Sequence, residues 1–260
     1  MNTLQVTIKD RMAVIALNRG KSNPMNAEMV KELHTLVHSI DNDDNIGGLI
    51  ITGKENFFSA GLDLIELYDY NEEQSRIFWN DFLALQAKLV SFKKPMVAAI
   101  SGHSPAGGCV IAISCDYRVM AQGKFIIGLN EIPVGIVVPD SIFKLYSFWL
   151  GERKAYQLLM EGKLLSVEEA LQAGLIDEIS NPESVISNAE KQIRKYMQLN
   201  LATWSQSKLN LRKDLIAAAT GDQTEALNQM LKQWWAPETR KALQMIIQNL
   251  KAKSAGTSPS

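Results

Sequence analysis

Two glycine-rich junctions and one isolated glutamate supply the residue types in this chain that could do chemistry. One junction, residues 104–110 (SPAGGCV), joins an apolar run with strand character to an apolar stretch typical of a buried helix. Backbone N–H groups at a helix start have no partner within the helix, so such a junction can stabilise negative charge. The same residues are also typical of a tight turn that needs glycine for its backbone angles. This segment alone leaves both interpretations open.

A second junction, residues 58–64 (FSAGLDL), favours the first interpretation. It follows the apolar run 48–53 and again places small residues where a strand gives way to a helical pattern. Two such junctions can each direct one N–H group at the same oxygen atom, which is the arrangement of an oxyanion hole. Two other glycine-rich sites are excluded, because the chain has neither the lysine of a P-loop after the second glycine nor the G-x-G-x-x-G fingerprint.

Glu131 is the single acid in the apolar segment 126–136. It is either a surface turn residue or a proton-transferring carboxyl group whose pKa is raised by burial. His34 and His38 lie four residues apart on a predicted helix, a spacing that can hold a metal ion. An exposed helix face is the better explanation of this pair, so we assign no metal site.

The segments FSAGLDL, SPAGGC and IGLNE, in this order and spacing, resemble the crotonase superfamily, also called the enoyl-CoA hydratase/isomerase family. The resemblance covers residues 14–179 and is strongest to the Δ3,Δ2-enoyl-CoA isomerases. It implies an α/β fold, a crotonase-like spiral of ββα units with a C-terminal helical trimerisation region. Residues 1–198 would form the spiral core with the active site and residues 199–253 the helical region. The small, polar residues 254–260 are expected to be a disordered tail.

The resemblance also implies a reaction, the isomerisation of 3-enoyl-CoA to 2-trans-enoyl-CoA in fatty-acid degradation. A 1,3-proton shift would pass through a dienolate, with Glu131 as the catalytic acid and base and the N–H groups of Leu62 and Gly107 as the oxyanion hole. Residues implied to bind the coenzyme A part of the thioester substrate are Lys21, Ser59, Ala60, Gly61, Asp63 and Leu64. Arg19 shares the basic segment of Lys21, and either residue could equally be a solvated charge. No separate cofactor is implied, since coenzyme A belongs to the substrate.

Several alternatives remain open. Hydratases of the family carry a second glutamate directly after Gly-Gly-Cys, where this chain has Val110, so at most weak enoyl-CoA hydratase activity is expected. A dienoyl-CoA isomerase would use an extra carboxylate at the position of Pro139, and Asp140 is one residue away. Other candidates are another crotonase-type acyl-CoA reaction and, from a different class, a non-catalytic acyl-CoA-binding protein. Glu131 argues against the last, because a pure binder has no need for an acid in an apolar pocket.

The elements that must position these residues alternate between strands and helices. Asn26 is predicted to cap an amphipathic helix, and residues 71–92 are predicted to form a second, longer one. Strands are predicted at residues 4–9, 12–17, 48–52, 96–100, 116–120 and 124–127, the first two as a hairpin. Such alternation predicts a largely parallel sheet.

From residue 139 onward the pattern is mainly helical. Helices are predicted at residues 140–149, 152–160, 166–173, 182–199, 203–219, 223–235 and 237–252, the third with a capping box and a glycine stop at Gly174. The region 203–250 is dense in Trp and long apolar side chains. A single small layer of helices is not expected to bury so many of them. We therefore expect self-association, as a homotrimer or a dimer of trimers as the family usually forms.

Charge and composition limit the possible partners and locations. The 260 residues carry 27 Lys and Arg against 28 Asp and Glu, a balance that argues against a nucleic-acid partner, and no basic block indicates a membrane surface. Cys109 and Cys115 lie in apolar surroundings and are expected to be free core thiols of a reducing compartment. The first residues enter a strand pattern directly, without a signal or transit peptide, and no segment is long and apolar enough to span a bilayer. A cytoplasmic location is therefore expected.

Overall fold

The chain alternates strands and helices up to about residue 180 and is helical thereafter. The computed structural model describes residues 1–254, and side chains up to residue 252. The strands are β1 Leu4–Lys9, β2 Met12–Leu17, β3 Gly48–Thr52, β4 Asn56–Phe57, β5 Met96–Ile100, β6 Gly102–Pro105, β7 Tyr117–Ala121, β8 Ile126–Gly128, β9 Leu165–Ser166 and β10 Glu178–Ser180. The helices are α1 Ala27–Asn42, α2 Leu64–Tyr68, α3 Glu72–Val90, α4 Gly107–Ser114, α5 Asp140–Leu150, α6 Glu152–Glu161, α7 Val167–Ala173, α8 Val185–Met197, α9 Leu201–Leu211, α10 Lys213–Thr220, α11 Thr224–Trp234 and α12 Pro237–Ser254. Short 3-10 helices span Ile132–Val134 and Pro182–Ser184.

The strands form two sheets. The larger has the order β1-β2-β3-β5-β7-β10, and the smaller has the order β4-β6-β8-β9. β1 and β2 form the predicted antiparallel hairpin, in the register that pairs Leu4 with Leu17. Every later pairing in the larger sheet is parallel, which confirms the parallel sheet expected from the alternation of elements. β3 and β5 are buried along their whole lengths, so they appear in the sequence as continuous apolar runs.

Successive strand pairs divide themselves between the two sheets. In the pairs β3–β4, β5–β6 and β7–β8, the first strand joins the larger sheet and the second joins the smaller one. β4, β6 and β8 are parallel neighbours in the smaller sheet, so the loops that follow them leave from the same edge. Each successive pair thus adds one strand to each sheet, and this repetition is the spiral of ββα units that the resemblance implied. The sequence did not predict β4 or β6, because β4 has two residues and β6 lies in a segment with the composition of a loop.

The helix starts are fixed locally, as the sequence predicts. The side chain of Asn26 accepts a hydrogen bond from the Met29 N–H at the start of α1. α3 begins with a capping box between Asn71 and Gln74, and α7 begins with the predicted one at Ser166. The apolar faces of α1, α3 and α4 pack into one core with the strands.

The C-terminal helices pack on the core, α10 against α3 and α5 and α11 against α3. The single helix predicted at residues 203–219 is wrong, because the chain breaks at Arg212 into α9 and α10. The Arg212 guanidinium is buried, donates to the Ser114 and Cys115 carbonyl groups and lies 3.0 Å from an Asp116 carboxylate oxygen. α12 extends to Ser254, the first residue of the predicted tail, and residues 255–260 lie outside the described residues.

Contacts within the chain account for the tryptophans from which self-association was inferred. Trp234 is 2% exposed and packs edge-on against Trp79 in α3. Trp204 packs against Tyr196, and Trp235 lies beside the Arg240 guanidinium. These tryptophans therefore belong to the packing of one chain. Of the long apolar side chains in the same region, Leu211 is 77% exposed and Met245 is 53% exposed, and self-association stays a prediction.

Candidate active site

Three loops, which follow β4, β6 and β8, enclose a small pocket at one edge of the smaller sheet. Its volume is about 90 Å³. We call it the three-loop pocket and define it by its lining residues Ala60, Leu62, Leu64, Pro105, Ala106, Asn130, Glu131, Val134 and Ile136. Each of the three sequence segments singled out above thus contributes to one cavity.

Two backbone N–H groups in the loops around the pocket have no acceptor among the described residues. Met25 forms hydrogen bonds with both neighbours of Leu62. The Met25 N–H donates to the Gly61 carbonyl at 2.8 Å, and the Asp63 N–H donates to the Met25 carbonyl at 2.9 Å. The Leu62 N–H between them has no acceptor among the described residues. The Gly107 N–H, the first of α4, likewise has none in that part of the chain. Both groups can therefore donate to a ligand oxygen.

Backbone geometry holds these two loops against each other. Gly61 has φ +88°, a conformation that favours glycine, and a Cβ there would lie 3.5 Å from the Gly107 nitrogen. Ala106 has φ +50° and ψ −123°, which is strained for a residue with a side chain. Its N–H donates to the Gly128 carbonyl at 2.8 Å. The strained Ala106 residue sets the plane of the next peptide, and with it the direction of the Gly107 N–H.

Glu131 is a buried acid without an ion-pair partner among the described residues. Its residue is 8% exposed, and its Oε2 atom has no hydrogen-bond partner among the described residues. Burial raises the pKa of this carboxyl group from 4.5 to about 7, and the N–H groups of Glu131 and Asn130 partly oppose the rise. A carboxyl group with this pKa can both accept and return a proton near neutral pH.

The two positions that distinguish the alternative reactions lie outside the three-loop pocket. Val110 is 2% exposed and belongs to the apolar core on α4. The Asp140 side chain is 68% exposed at the start of α5 and forms an ion pair with Lys144 at 2.9 Å. Neither residue lines the cavity that holds Glu131.

The residues expected to bind coenzyme A divide into two groups. Ala60 is exposed at the pocket, and Leu64 lines it. Ser59 and Gly61 are buried, because the Ser59 hydroxyl donates to the Asn23 carbonyl at 2.8 Å and accepts from the Gly61 N–H at 3.1 Å. These two residues hold the loop together from inside, and contact of the 59–64 backbone with coenzyme A stays a prediction.

Arg19 and Asp63 also stabilise the loop. The Arg19 guanidinium lies 2.6 Å from a carboxylate oxygen of Asp63 and 2.8 Å from one of Glu66. Asp63 in addition caps α2 by accepting from the Glu66 N–H. Lys21 is exposed and forms no ion pair within the described part of the chain. Of the two basic residues, Lys21 is therefore the one available to a phosphate group.

α12 contacts two elements beside the pocket, α2 and the 3-10 helix after Glu131, and the sequence did not indicate these contacts. The Arg240 guanidinium lies 3.6 Å from the Tyr68 ring centroid and donates to the Tyr68 carbonyl at 2.7 Å. The Thr239 methyl group lies 2.8 Å from the position of a Cβ on Gly135, which ends the 3-10 helix after Glu131. More than 100 residues separate these partners along the chain, so no local pattern could reveal the contact.

The other side chains that could take part in chemistry are buried or packed against their neighbours. His103 packs between Phe57 and Phe125, with ring centroids 5.2 Å from each. Cys109 and Cys115 are buried free thiols, as the sequence predicts, and burial raises the pKa of both.

Within residues 1–254, no group of three or more His, Cys, Asp or Glu side chains could hold a metal ion. None of the helices in this part of the chain has the length and apolar character needed to cross a membrane.

Known proteins of one family match this chain. The family model described as enoyl-CoA hydratase/isomerase matches residues 7–255. The chain is 34% identical to "Enoyl-CoA delta isomerase 1, mitochondrial" of Mus musculus over 93% of this chain and 84% of that protein. It is 30% identical to "Probable enoyl-CoA hydratase, mitochondrial" of Dictyostelium discoideum over 81% and 74% of the two chains.

Among solved structures, human mitochondrial delta3-delta2-enoyl-CoA isomerase superposes with a TM-score of 0.92 at 29% identity. The match covers 96% of this chain and 99% of the human one. The family model spans nearly the whole chain, and the strands and loops that enclose the three-loop pocket lie inside the matched region. The chain therefore belongs to the enoyl-CoA hydratase/isomerase family, the crotonase superfamily.

Proposed function

We propose that this chain is an enoyl-CoA isomerase that converts 3-enoyl-CoA to 2-trans-enoyl-CoA, a step of fatty-acid degradation. One observation carries the proposal. Glu131 is the single carboxyl group among the described residues that line the three-loop pocket, and it is buried without a cation. One acid suffices for a 1,3-proton shift, because the same group can take the proton from one carbon and return it to another.

In the first step, the thioester carbonyl oxygen accepts hydrogen bonds from the Leu62 and Gly107 N–H groups. The Glu131 carboxylate takes a proton from C2, and the electron pair of that C–H bond moves into a dienolate whose charge gathers on the thioester oxygen. The two N–H groups are fixed before the reaction, so they stabilise this charge without reorganising. Removal of one such donor typically costs about 3–4 kcal/mol of transition-state stabilisation.

In the second step, the Glu131 carboxylic acid returns the proton to C4. The double bond then lies between C2 and C3, in conjugation with the thioester, and the carboxylate is regenerated. The pKa of about 7 supports both roles, because the group is neither too weak a base nor too weak an acid at neutral pH.

The surroundings of two residues count against the alternative reactions. Hydration needs a second acid to position water, and Val110 offers an apolar side chain in the core instead. A dienoyl-CoA isomerase would need a second carboxylate at the reacting carbons, and Asp140 lies outside the three-loop pocket, where it is solvent-exposed and paired with Lys144. A non-catalytic acyl-CoA-binding protein would gain nothing from the desolvation of Glu131, which costs free energy.

The residues proposed to bind coenzyme A are fewer than those that the resemblance implied. Ala60, Leu64 and the exposed Lys21 are the residues best situated for coenzyme A.

The assembly is a homotrimer or a dimer of trimers. The mass of the protein in solution at micromolar concentration tests this. The cytoplasmic location stays a prediction. The mouse and Dictyostelium relatives carry the word mitochondrial in their names, so fractionation of cells decides the location.

The experiment that tests the function compares 3-enoyl-CoA and 2-enoyl-CoA side by side. With 3-enoyl-CoA, we expect the absorbance of the conjugated thioester to rise. With 2-enoyl-CoA, we expect little loss of that absorbance, because water addition is slow. Rapid loss with 2-enoyl-CoA would make the chain a hydratase, turnover confined to dienoyl-CoA would make it a dienoyl-CoA isomerase, and tight binding without turnover would make it a binding protein.

A further inference from the structure

A large apolar groove lies beside the three-loop pocket. Its volume is about 640 Å³, within the range of pockets that bury small-molecule ligands. We call it the tail groove and identify it by the apolar side chains Ile132, Ile136, Val138, Phe143, Tyr156 and Met160. Asp140 and Gln233 are the polar residues of its lining, and Tyr156 also carries a hydroxyl group.

The tail groove adjoins the three-loop pocket. Ile136 lines both cavities, and Ile132, which lines the groove, directly follows Glu131. The 3-10 helix Ile132–Val134 therefore stands between the proton-transferring carboxyl group and the groove. A chain that continues beyond the reacting carbons has this apolar space next to it.

The tail groove leaves large apolar side chains open to solvent. Tyr156 is 61% exposed, Met160 is 52% exposed and Ile132 is 38% exposed. Tyr156 and Met160 lie on α6, and among the described residues that line the three-loop pocket none comes from α6. Exposed apolar side chains grouped on one groove are typical of a binding surface. Here α6 forms the wall that is remote from the reacting atoms.

On the basis of the function proposed above, we propose that the tail groove binds the distal part of the acyl chain and makes the protein selective for long-chain 3-enoyl-CoA. The three-loop pocket, at about 90 Å³, is too small to hold a long tail in addition to the reacting carbons. Each methylene group that leaves water for an apolar surface contributes about fourfold to kcat/KM. The rate advantage of long tails comes from this transfer and not from the chemical step.

The test measures kcat/KM with 3-hexenoyl-, 3-decenoyl- and 3-tetradecenoyl-CoA, each below its critical micelle concentration. For the wild-type protein we expect kcat/KM to rise with chain length, by more than tenfold from six to fourteen carbons. Met160→Glu places a charge in the groove, so it should reduce the fourteen-to-six ratio of kcat/KM at least tenfold. Ile186→Glu is the matched control, because Ile186 is 43% exposed on α8 and does not line the groove, and it should keep the wild-type ratio.

Two results would overturn the inference. One is a wild-type kcat/KM that does not change with chain length while 3-hexenoyl-CoA is turned over, which leaves the proposed function intact. The other is a Met160→Glu protein with the wild-type ratio but an altered mass in solution, which would make the groove an interface with a second copy of the chain. If Met160→Glu does not fold, Tyr156→Ser removes an apolar ring from the same wall and takes its place.

Binding measured without turnover separates the inference from the proposed function. Calorimetry with saturated hexanoyl-CoA and tetradecanoyl-CoA reports on the groove alone. If none of the 3-enoyl substrates reacts, the proposed function fails. The tail groove then stands if tetradecanoyl-CoA binds at least tenfold more tightly than hexanoyl-CoA and Met160→Glu removes the difference, and it falls if the two bind equally.

Discussion

Replacement of Glu131 by glutamine should inactivate the protein and stabilise its fold at the same time. Glutamine keeps the shape of the side chain but cannot accept the C2 proton, so isomerisation should fall by about 10²–10⁴-fold or more. Stability should change because the folded protein holds this carboxyl group in a site that disfavours its charge. The pKa rises on folding from 4.5 to about 7 as burial removes water from the carboxylate.

The size and sign of the stability effect follow from this rise in pKa. Between pH 4.5 and pH 7 the folded state binds a proton at Glu131 that the unfolded state does not, so the wild-type protein loses stability as the pH rises through this range. Below pH 4.5 both states are protonated and the penalty is absent. Above pH 7 it is complete, and a rise of about 2.5 pKa units corresponds to about 3 kcal/mol. Burial of the glutamine amide offsets part of the gain, so we expect about 1–3 kcal/mol at pH 8.

The assay is urea denaturation of both proteins at pH 5 and pH 8, at one protein concentration, because an oligomer gains stability with concentration. Glu131→Gln should unfold at a higher urea concentration than the wild type at pH 8, and the two should converge toward pH 5. Glu183→Gln, at an exposed glutamate, is the matched control and should follow the wild type at both values. In parallel, wild-type kcat/KM should fall as the pH drops below 7. A stability difference that is equal at pH 5 and pH 8 would refute the assignment of a desolvated carboxylate.

Gly107→Val should lose turnover and about 1–3 kcal/mol of stability in thermal melts. Its side chain would be forced against the Met25 methyl group rather than into the substrate space, and the added substitution Met25→Ala should recover part of the stability but not the turnover. Val110→Glu should add measurable hydration of 2-enoyl-CoA and lower the urea midpoint, since position 110 is buried, and a variant without hydration would show that a second acid is not sufficient. Lys21→Ala should raise KM with kcat unchanged in steady-state kinetics, whereas Arg19→Met should lower the melting temperature, because it leaves two carboxylates without their cation.

The sequence predicted the parts of the fold that local chemistry determines. β3 and β5 were predictable because both of their faces are buried, which requires an unbroken apolar run. The start of α1 was predictable because Asn26 caps it within three residues. Glu131 was a candidate for the same kind of reason, since an acid among apolar neighbours signals a desolvated site before any fold is known.

Long-range contacts explain what the sequence did not predict. The break at Arg212 depends on carbonyl groups nearly 100 residues earlier, and without them residues 203–219 have the pattern of one amphipathic helix. Ser59 and Asp63 lie in the correct loop, but their partners Asn23 and Arg19 come from an earlier segment. A motif therefore indicates which loop surrounds a site, and only the folded chain separates the residues that face the site from those that support it.

The contacts of α12 give the order of synthesis a role in function. Every residue that lines the three-loop pocket lies before position 137, whereas α12 begins at Pro237. At about 5–20 residues per second, the ribosome needs about 5–20 s to add the roughly 100 residues between them. During this interval the nascent chain has all the pocket residues, but Arg240 is not yet present to hold Tyr68. A premature stop before Thr239 would remove no pocket residue and would still remove the contacts of α12 with Tyr68 and Gly135.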